Sequence, residues 1–373
     1  MNLNINPIIE NYLANYKKSA KNFDDSIRKK TNRVEIISSY LLASVLLEKK
    51  EIADELLAKL KEMQFVCGGF EEKFYQAEDE DVGAYGAVPT SFACIAVARY
   101  YKKWKSDDIG WLLKCSDLLY KNESHGAVLK AILNRSKVFN TDLLSAQALR
   151  EVSDLLDSKS IRLRMYDESI RRSIARTLIY QFSNGSFPYQ SYSLSVPYLY
   201  HAMVSAQVKY FCFYYKNEEM LKRALVKSRQ FSCKFIIAPN GDVDWKSANN
   251  HDKSGSIWIY SFLMSSFSKS EQCYANLILK LRSAQFNGLF RTTTYMDEAE
   301  SNMLDPFFSS WVINGLIINN VDEGNIRYGR INIRILILFL VRVCLTVKIT
   351  LFYLINRLRN FLFFQGAHEN RAK

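Results

Sequence analysis

Strict alternation of apolar and polar residues is almost missing from this 373-residue chain, so a fold built on sheets has little to start from. Proline and glycine are scarce, at 6 and 14 residues, which excludes a collagen-like or low-complexity chain. The 7 cysteines are scattered and never form a Cys-x-x-Cys pair, which excludes a disulfide scaffold and fits reduced thiols used as core filler. Only 4 histidines occur, and neither they nor the cysteines show metal-ligand spacing, so no metal is expected. No phosphate-cradling glycine loop is present, which argues against a nucleotide and leaves no cofactor indicated. The N-terminal stretch has no uninterrupted apolar core of the secretory kind, placing the chain on the cytoplasmic side.

What remains is helix. Apolar runs of helical period, such as "RVEIISSYLLASVLLEK" and "EIADELLAKLKEM", fill the chain. Short polar connections near Lys50, Asp107, Lys159, Asn217 and Lys269 break these runs at spacings of 57, 52, 58 and 52 residues. Between them lie five longer connections centred on Gly69, Gly126, Gly185, Gly241 and Gly288, which hold or border every proline except Pro7. Proline and glycine are thus kept out of the helices. A tight turn alternating with a long one is the signature of repeated helical hairpins, about six of them. The helices after long connections are apolar nearly all round, whereas those before them are amphipathic, which favours a closed ring over an open solenoid. Inner helices are expected near 34–49, 90–104, 141–157, 197–215, 255–268 and 305–318.

The stretches "QFVCGGF" at Gln64, "QFSNGSF" at Gln181 and "QFNGLF" at Gln285 repeat one pattern: Gln, a short spacer, Gly, then Phe. With their flanks they resemble the Gln-to-aromatic repeat of terpenoid cyclases and the wider (α/α) toroid group, which includes prenyltransferases, lanthionine cyclases, polysaccharide lyases and uronyl epimerases. The resemblance implies an all-α, (α/α)6 toroid and makes the motif a clasp at helix ends: Gln bonds orphan backbone groups, Gly takes a positive φ and the aromatic plugs a gap. It also implies that substrate sits at the end of the ring where the long connections gather. Two departures narrow the group. The Asp-rich and Asp-x-Asp-Asp motifs of isoprenoid cyclisation are missing, and so are the Cys, Cys and His zinc ligands of lanthionine cyclases.

Candidate chemistry falls on those connections and the helix starts after them. Tyr198, His201, Ser205, Lys209 and Cys212 lie within about 80° on a helical wheel, a polar stripe on an apolar helix. His201 is the candidate proton-transfer group with Tyr198 beside it, and Asp244 completes a catalytic set. Trp245 and His251, near Asp242 and Asp252, suit sugar binding, while Tyr189 and Tyr192 add aromatic faces. Arg291 can clamp a uronate carboxylate or a phosphate. Asp81, with Glu71 and Asp79, offers acid and base in the first connection. Each feature also has a structural reading: a His bonded to a neighbouring loop, aspartates in turns, a solvated acidic run, a surface arginine.

The formal charge is +12, but residues 325–373 hold +8 of it, with nine Lys or Arg against one Glu. Residues 1–324 form the expected toroid domain and 325–373 a basic tail. Within the tail, residues 331–362 place their cations on one side of a wheel, the pattern of an amphipathic helix on an anionic membrane surface. Its first turns can also supply the outer helix of the sixth hairpin. Nucleic acid is not an expected partner. "NGSFPYQ" and "VPYLYHAMVSAQVKYF" resemble bacterial proteins of exopolysaccharide and O-antigen clusters. The cytoplasmic placement, the membrane-surface tail and the sugar-compatible rim point to a peripheral protein at the cytoplasmic face of the inner membrane that handles a glycan or lipid-linked glycan. The resemblance adds surface-polysaccharide biosynthesis, as epimerase, lyase or hydrolase beside polysaccharide-assembly proteins. A non-catalytic scaffold and an isoprenoid-binding enzyme are the alternatives.

Overall fold

The structure, a computed structural model, describes residues 4–27, 33–71, 86–105, 109–122, 138–191, 193–216, 218–244, 256–291 and 306–319. These form α1 (Asn6–Ile27), α2 (Arg33–Leu46), α3 (Lys50–Met63), α4 (Ala87–Trp104), α5 (Gly110–Asn122), α6 (Phe139–Ser153), α7 (Ile161–Tyr180), α8 (Tyr198–Tyr214), α9 (Glu219–Phe231), α10 (Trp258–Ser266), α11 (Gln272–Ala284) and α12 (Pro306–Ile318). A π-helical turn, Ser232–Ile236, continues α9. A two-residue antiparallel pair, β1 (Gln285–Phe286) with β2 (Leu289–Phe290), is the one sheet among the described residues.

Burial separates the helices into two layers. In α6 all fifteen residues are buried, so both of its sides face protein. In α9 only Leu221, Ala224, Leu225, Ser228 and Phe231 are buried, one stripe at 3.6-residue spacing. The even-numbered helices are the inner ones: α2, α4, α6, α8, α10 and α12 pack each on the next, and α12 packs back on α2, closing the ring. This is the all-α toroid expected from turn spacing, with inner helices starting within three residues of the expected positions.

The outer position between α11 and α3 is filled by α1. Gln285 Nε2 donates to the Ile8 carbonyl at 2.8 Å on one flank of α1. On its other flank the Tyr16 hydroxyl donates to Glu55 at 2.8 Å and accepts from Lys59 at 2.9 Å, both on α3. The N-terminal helix thus joins α11 to α3. The expected tail from residue 325, including its membrane helix, lies outside the described residues. Among the described residues no helix is long and apolar enough to cross a membrane.

Candidate functional site

The repeated Gln motif is the clasp its residues suggest. Gln181 Nε2 donates to the Gly185 carbonyl and to the Ala224 carbonyl of α9, both at 2.9 Å. Gln64 reaches the Gly68 carbonyl at 3.0 Å and the Cys115 sulfur of α5 at 2.9 Å. Gly185 shows why the third position must be glycine. Its φ is +93°, and an added Cβ would stand 2.1 Å from the Lys227 carbonyl oxygen of α9. The clasp aromatic then fixes the following inner helix, because its backbone N–H donates to a side chain in that helix's first turns. Phe70 donates to Thr90 Oγ1 at 3.1 Å, Phe187 to His201 Nδ1 at 3.1 Å and Phe290 to Ser309 Oγ at 2.8 Å.

His201 therefore belongs to a clasp, which corrects the cavity-facing role expected of it. Its exposure is 0%. Because Nδ1 accepts from Phe187, the proton sits on Nε2, which donates toward Ser232 Oγ at 3.1 Å. The ring lies between those of Phe187 and Phe231. Burial holds the imidazole down at about 4, so it stays neutral at neutral pH. The rest of the stripe points the same way: Ser205 Oγ meets Ser228 Oγ of α9 at 2.7 Å, and Lys209 donates to the Phe267 carbonyl. Burial, with Arg229 beside it, lowers the Lys209 ammonium to about 8. The polar stripe of α8 is the seam with its outer neighbour, and its opposite face turns to the ring.

Inside the ring the side chains form layers. At the end where the inner helices start, Trp311 of α12 meets Trp258 of α10 at 4.5 Å between ring centroids, and Phe92 of α4 edge-on at 4.9 Å. Since α4 stands two places from α12, Trp311 reaches across the ring. On the α6–α8 side, Gln207 Nε2 donates to the Asn140 carbonyl at 2.9 Å. The side-chain oxygens of Asn140 and Gln207 have no partner, nor do the Trp258 indole N–H and both amide atoms of Asn314. Asn314 has 0% exposure and lies about one turn below Trp311 on the same face. Deeper still, Gln147 of α6 donates to Asn319, just past α12, at 3.0 Å, a bond between opposite sides of the ring.

The far end is ionic. Arg99 donates to Glu151 and to the Ile317 and Ile318 carbonyls, each at 2.8 Å, capping the end of α12. Lys102 pairs with Glu151 at 2.6 Å and Asp154 at 2.9 Å, and the Tyr210 hydroxyl donates to Glu151 at 3.2 Å. Burial pushes the Glu151 carboxyl up, but Arg99 and Lys102 outweigh burial and hold it at about 2.

The other expected site residues are dispersed. Tyr198 is buried at the first position of α8. Tyr189 packs its ring on Tyr200 at 4.4 Å. Asp244 and Arg291 each follow a clasp by one residue: the Asp244 N–H donates to the Ile236 carbonyl at 2.7 Å, and Arg291 is exposed with its N–H on the Ala284 carbonyl at 3.2 Å. Asp244 lines a cleft between α9 and α11, away from the enclosed His201. The proposed triad of His201, Tyr198 and Asp244 is not assembled. Asp81, Tyr192, Trp245 and His251 lie outside the described residues. Among the described residues no group of three or more His, Cys, Asp or Glu is placed to hold a metal ion.

One residue passed over in the sequence stands at the end where the inner helices start. Glu35 is buried in the first turn of α2, the helix between those that carry Phe92 and Trp311. It is the only charged residue from 34 to 47, which was its visible signal.

No family model matches the chain, and no curated protein matches its sequence. Solved structures do match. An alpha-amylase from Clostridium perfringens is 15% identical, with 77% of this chain and 85% of that chain covered and a TM-score of 0.55. A reducing-end-xylose releasing exo-oligoxylanase complexed with xylose is 12% identical over 77% of this chain and 82% of that chain, at a TM-score of 0.52. A variant of that enzyme complexed with xylobiose is 11% identical over 79% and 82%, at 0.53. At these identities the likeness is one of fold, and the chain is an all-α toroid.

Proposed function

We propose that the chain binds a glycan at the indole end of its ring. The carrying observation is Asn314: a buried amide with neither end partnered, one turn below an indole cluster. Leaving such a group dry is unfavourable by about 1–3 kcal/mol, so it is kept for a partner that is not part of the chain. A sugar ring supplies what this surface lacks, an apolar face for the Trp258 and Trp311 indoles and hydroxyls for the Asn140, Gln207 and Asn314 amides. The sugar complexes of the exo-oligoxylanase, a protein of the same fold, support this reading. In a cell the ligand is a growing or lipid-linked surface polysaccharide, brought to the ring by residues 331–362 on the cytoplasmic face of the membrane. Hydrolysis, elimination or epimerisation there would draw a carboxylate from Glu35 in the first turn of α2.

Thermal shift of the full-length chain against neutral and uronate-containing oligosaccharides tests the reading. A dose-dependent rise in Tm that Asn314→Leu abolishes supports it; no rise with any glycan overturns it. The second reading, a scaffold for polysaccharide-assembly proteins, draws on the fully enclosed α6 and the Gln147–Asn319 bond across the ring. It predicts no glycan response and co-purification with membrane-bound assembly proteins.

A further inference from the structure

Among the described connections, one departs from the clasp pattern. Ala238, Gly241 and Asp242 make the same two backbone bonds as Phe182, Gly185 and Ser186: Ala238 N–H to Asp242 O, and Gly241 N–H to Ala238 O, both at 2.8 Å. Gly241 has a φ of +82° and presses on Asn276 of α11, as Gly185 presses on α9. Yet Ile237 stands where Gln181 stands, and Val243 replaces the aromatic. An isoleucine cannot donate to the next outer helix, so the side-chain bridge made by Gln64, Gln181 and Gln285 is missing between α9 and α11.

Two thiols stand at this junction instead. Cys233, in the π-helical turn that leads into the departing clasp, has its sulfur 3.6 Å from that of Cys273, in the first turn of α11. Cys233 is exposed and Cys273 half-buried, unlike the enclosed Cys94 and Cys115, so core filling does not account for the pair. Both line the same cleft as Asp244, about 510 Å³ in volume, through which a small reagent can reach them. A π-helical turn is an insertion that fold stability alone rarely retains. This one carries Cys233 toward α11 while its first residue, Ser232, holds His201.

We propose that Cys233 and Cys273 form a reversible disulfide that replaces the missing glutamine bridge, making the α9–α11 junction a redox-responsive modification site. The oxidant is a low-molecular-weight disulfide such as oxidised glutathione. One cysteine attacks the reagent's S–S bond, giving a mixed disulfide and one glutathione thiol. The other cysteine then attacks the mixed disulfide, forming Cys233–Cys273 and releasing the second glutathione. Two cysteine thiols lose two electrons and two protons, which leave as two glutathione thiols. A small side-chain rotation closes 3.6 Å to bonding distance. Partial burial, with Cys273 beside it, pushes the Cys233 thiol up, so little thiolate is present and the exchange is slow at neutral pH. Once formed, the bond ties the end of α9 to α11 beside the cleft that Asp244 lines.

The full-length chain is incubated with oxidised glutathione over hours, alkylated and mapped by mass spectrometry. The expected product is one intramolecular link between the Cys233 and Cys273 peptides, removed by dithiothreitol. It should raise Tm by roughly 4–8 °C, since it closes a long loop. Cys233→Ser and Cys273→Ser should each abolish the link and leave a glutathione adduct on the remaining thiol. Glutathione adducts with no link in the unaltered chain, or a link that survives either substitution, overturn the proposal. So does a link found only between two chains. None of these readouts depends on glycan binding.

Discussion

The two ends of the ring carry different kinds of buried polar group, ions at one and neutral amides at the other, and unpartnered atoms occur at both, the Tyr215 hydroxyl at the ionic end among them. At the ionic end Glu151 is wrapped by Arg99, Lys102 and Tyr210, and even the last carbonyls of α12 are capped by Arg99. At the other end Asn314 keeps unfilled amide capacity one turn below the edge-on indoles of Trp258 and Trp311, and the side-chain oxygens of Asn140 and Gln207 are also unpartnered. The contrast is one of chemistry: ions matched to ions at one end, neutral amides with spare hydrogen-bonding capacity at the other.

The largest effect should come from the ionic end. Glu151→Ala leaves the half-buried Arg99 and Lys102 without their shared carboxylate, and breaking such a network costs about 3 kcal/mol. Chemical denaturation should show a matching fall in midpoint with an unchanged slope. A loss below about 1 kcal/mol would mean that water reaches the cluster.

His201→Ala should come close to it, at about 3 kcal/mol, because it removes the acceptor of the Phe187 N–H and leaves a cavity between two aromatic rings. The same residue gives the protein an acid-sensitive window. The folded-state value near 4 lies below the unfolded value near 6.5, so the unfolded chain binds more protons between the two. Stability from neutral His201 is full above about 6.5 and is lost as pH falls toward 4, a change on the order of 3 kcal/mol. Glu151 is also depressed, and its contribution is lost lower, from about 4.5 toward 2. Equilibrium unfolding of wild type and His201→Ala at pH 7 and pH 4.5 separates the two, since only wild type should weaken across the upper window. A catalytic His201 would show the reverse, an unchanged midpoint with lost turnover.

Gly185→Ala tests the frame of the indole end. With a φ of +93° and a carbonyl 2.1 Å from the added carbon, it should destabilise by about 2–3 kcal/mol. A near-neutral result would show that the clasp can shift and that glycine is not required there.

These predictions also mark where the sequence was legible. The inner helices could be read because proline and glycine punctuate the chain and burial on both sides strips polar residues from a helix. The clasp could be read because it recurs. The ring's closing helix was harder: Ile8, Ile9, Tyr12, Leu13 and Tyr16 show helical spacing in α1, but their partners lie at the other end of the chain, as the Gln285–Ile8 bond shows. The α8 stripe failed for a different reason. A helical wheel says which residues share a face, but on a helix buried all round it does not say whether that face meets the ring or the outer layer. Ser228 and Ser232 of the α9 segment decided that, and they are ordinary serines in the sequence. Asn314 carried no signal either, since "WVINGLII" reads as an apolar helix with one polar residue.

The smallest effect, and the one that bears most on function, is Asn314→Leu. The side chains are similar in volume, and the amide gives up no protein hydrogen bond because it makes none. Replacing an unpartnered buried amide by an apolar group removes its desolvation penalty, so the chain should gain about 1 kcal/mol. Glu151→Ala and Asn314→Leu should therefore move stability in opposite directions although both remove a buried polar group, the sharpest form of the contrast between the two ends. If the indole end is kept for a glycan, the stabilised variant should also lose the Tm response to oligosaccharide, as expected where an unfavourable group is retained for binding. A variant that loses stability would mean that ordered water already completes Asn314.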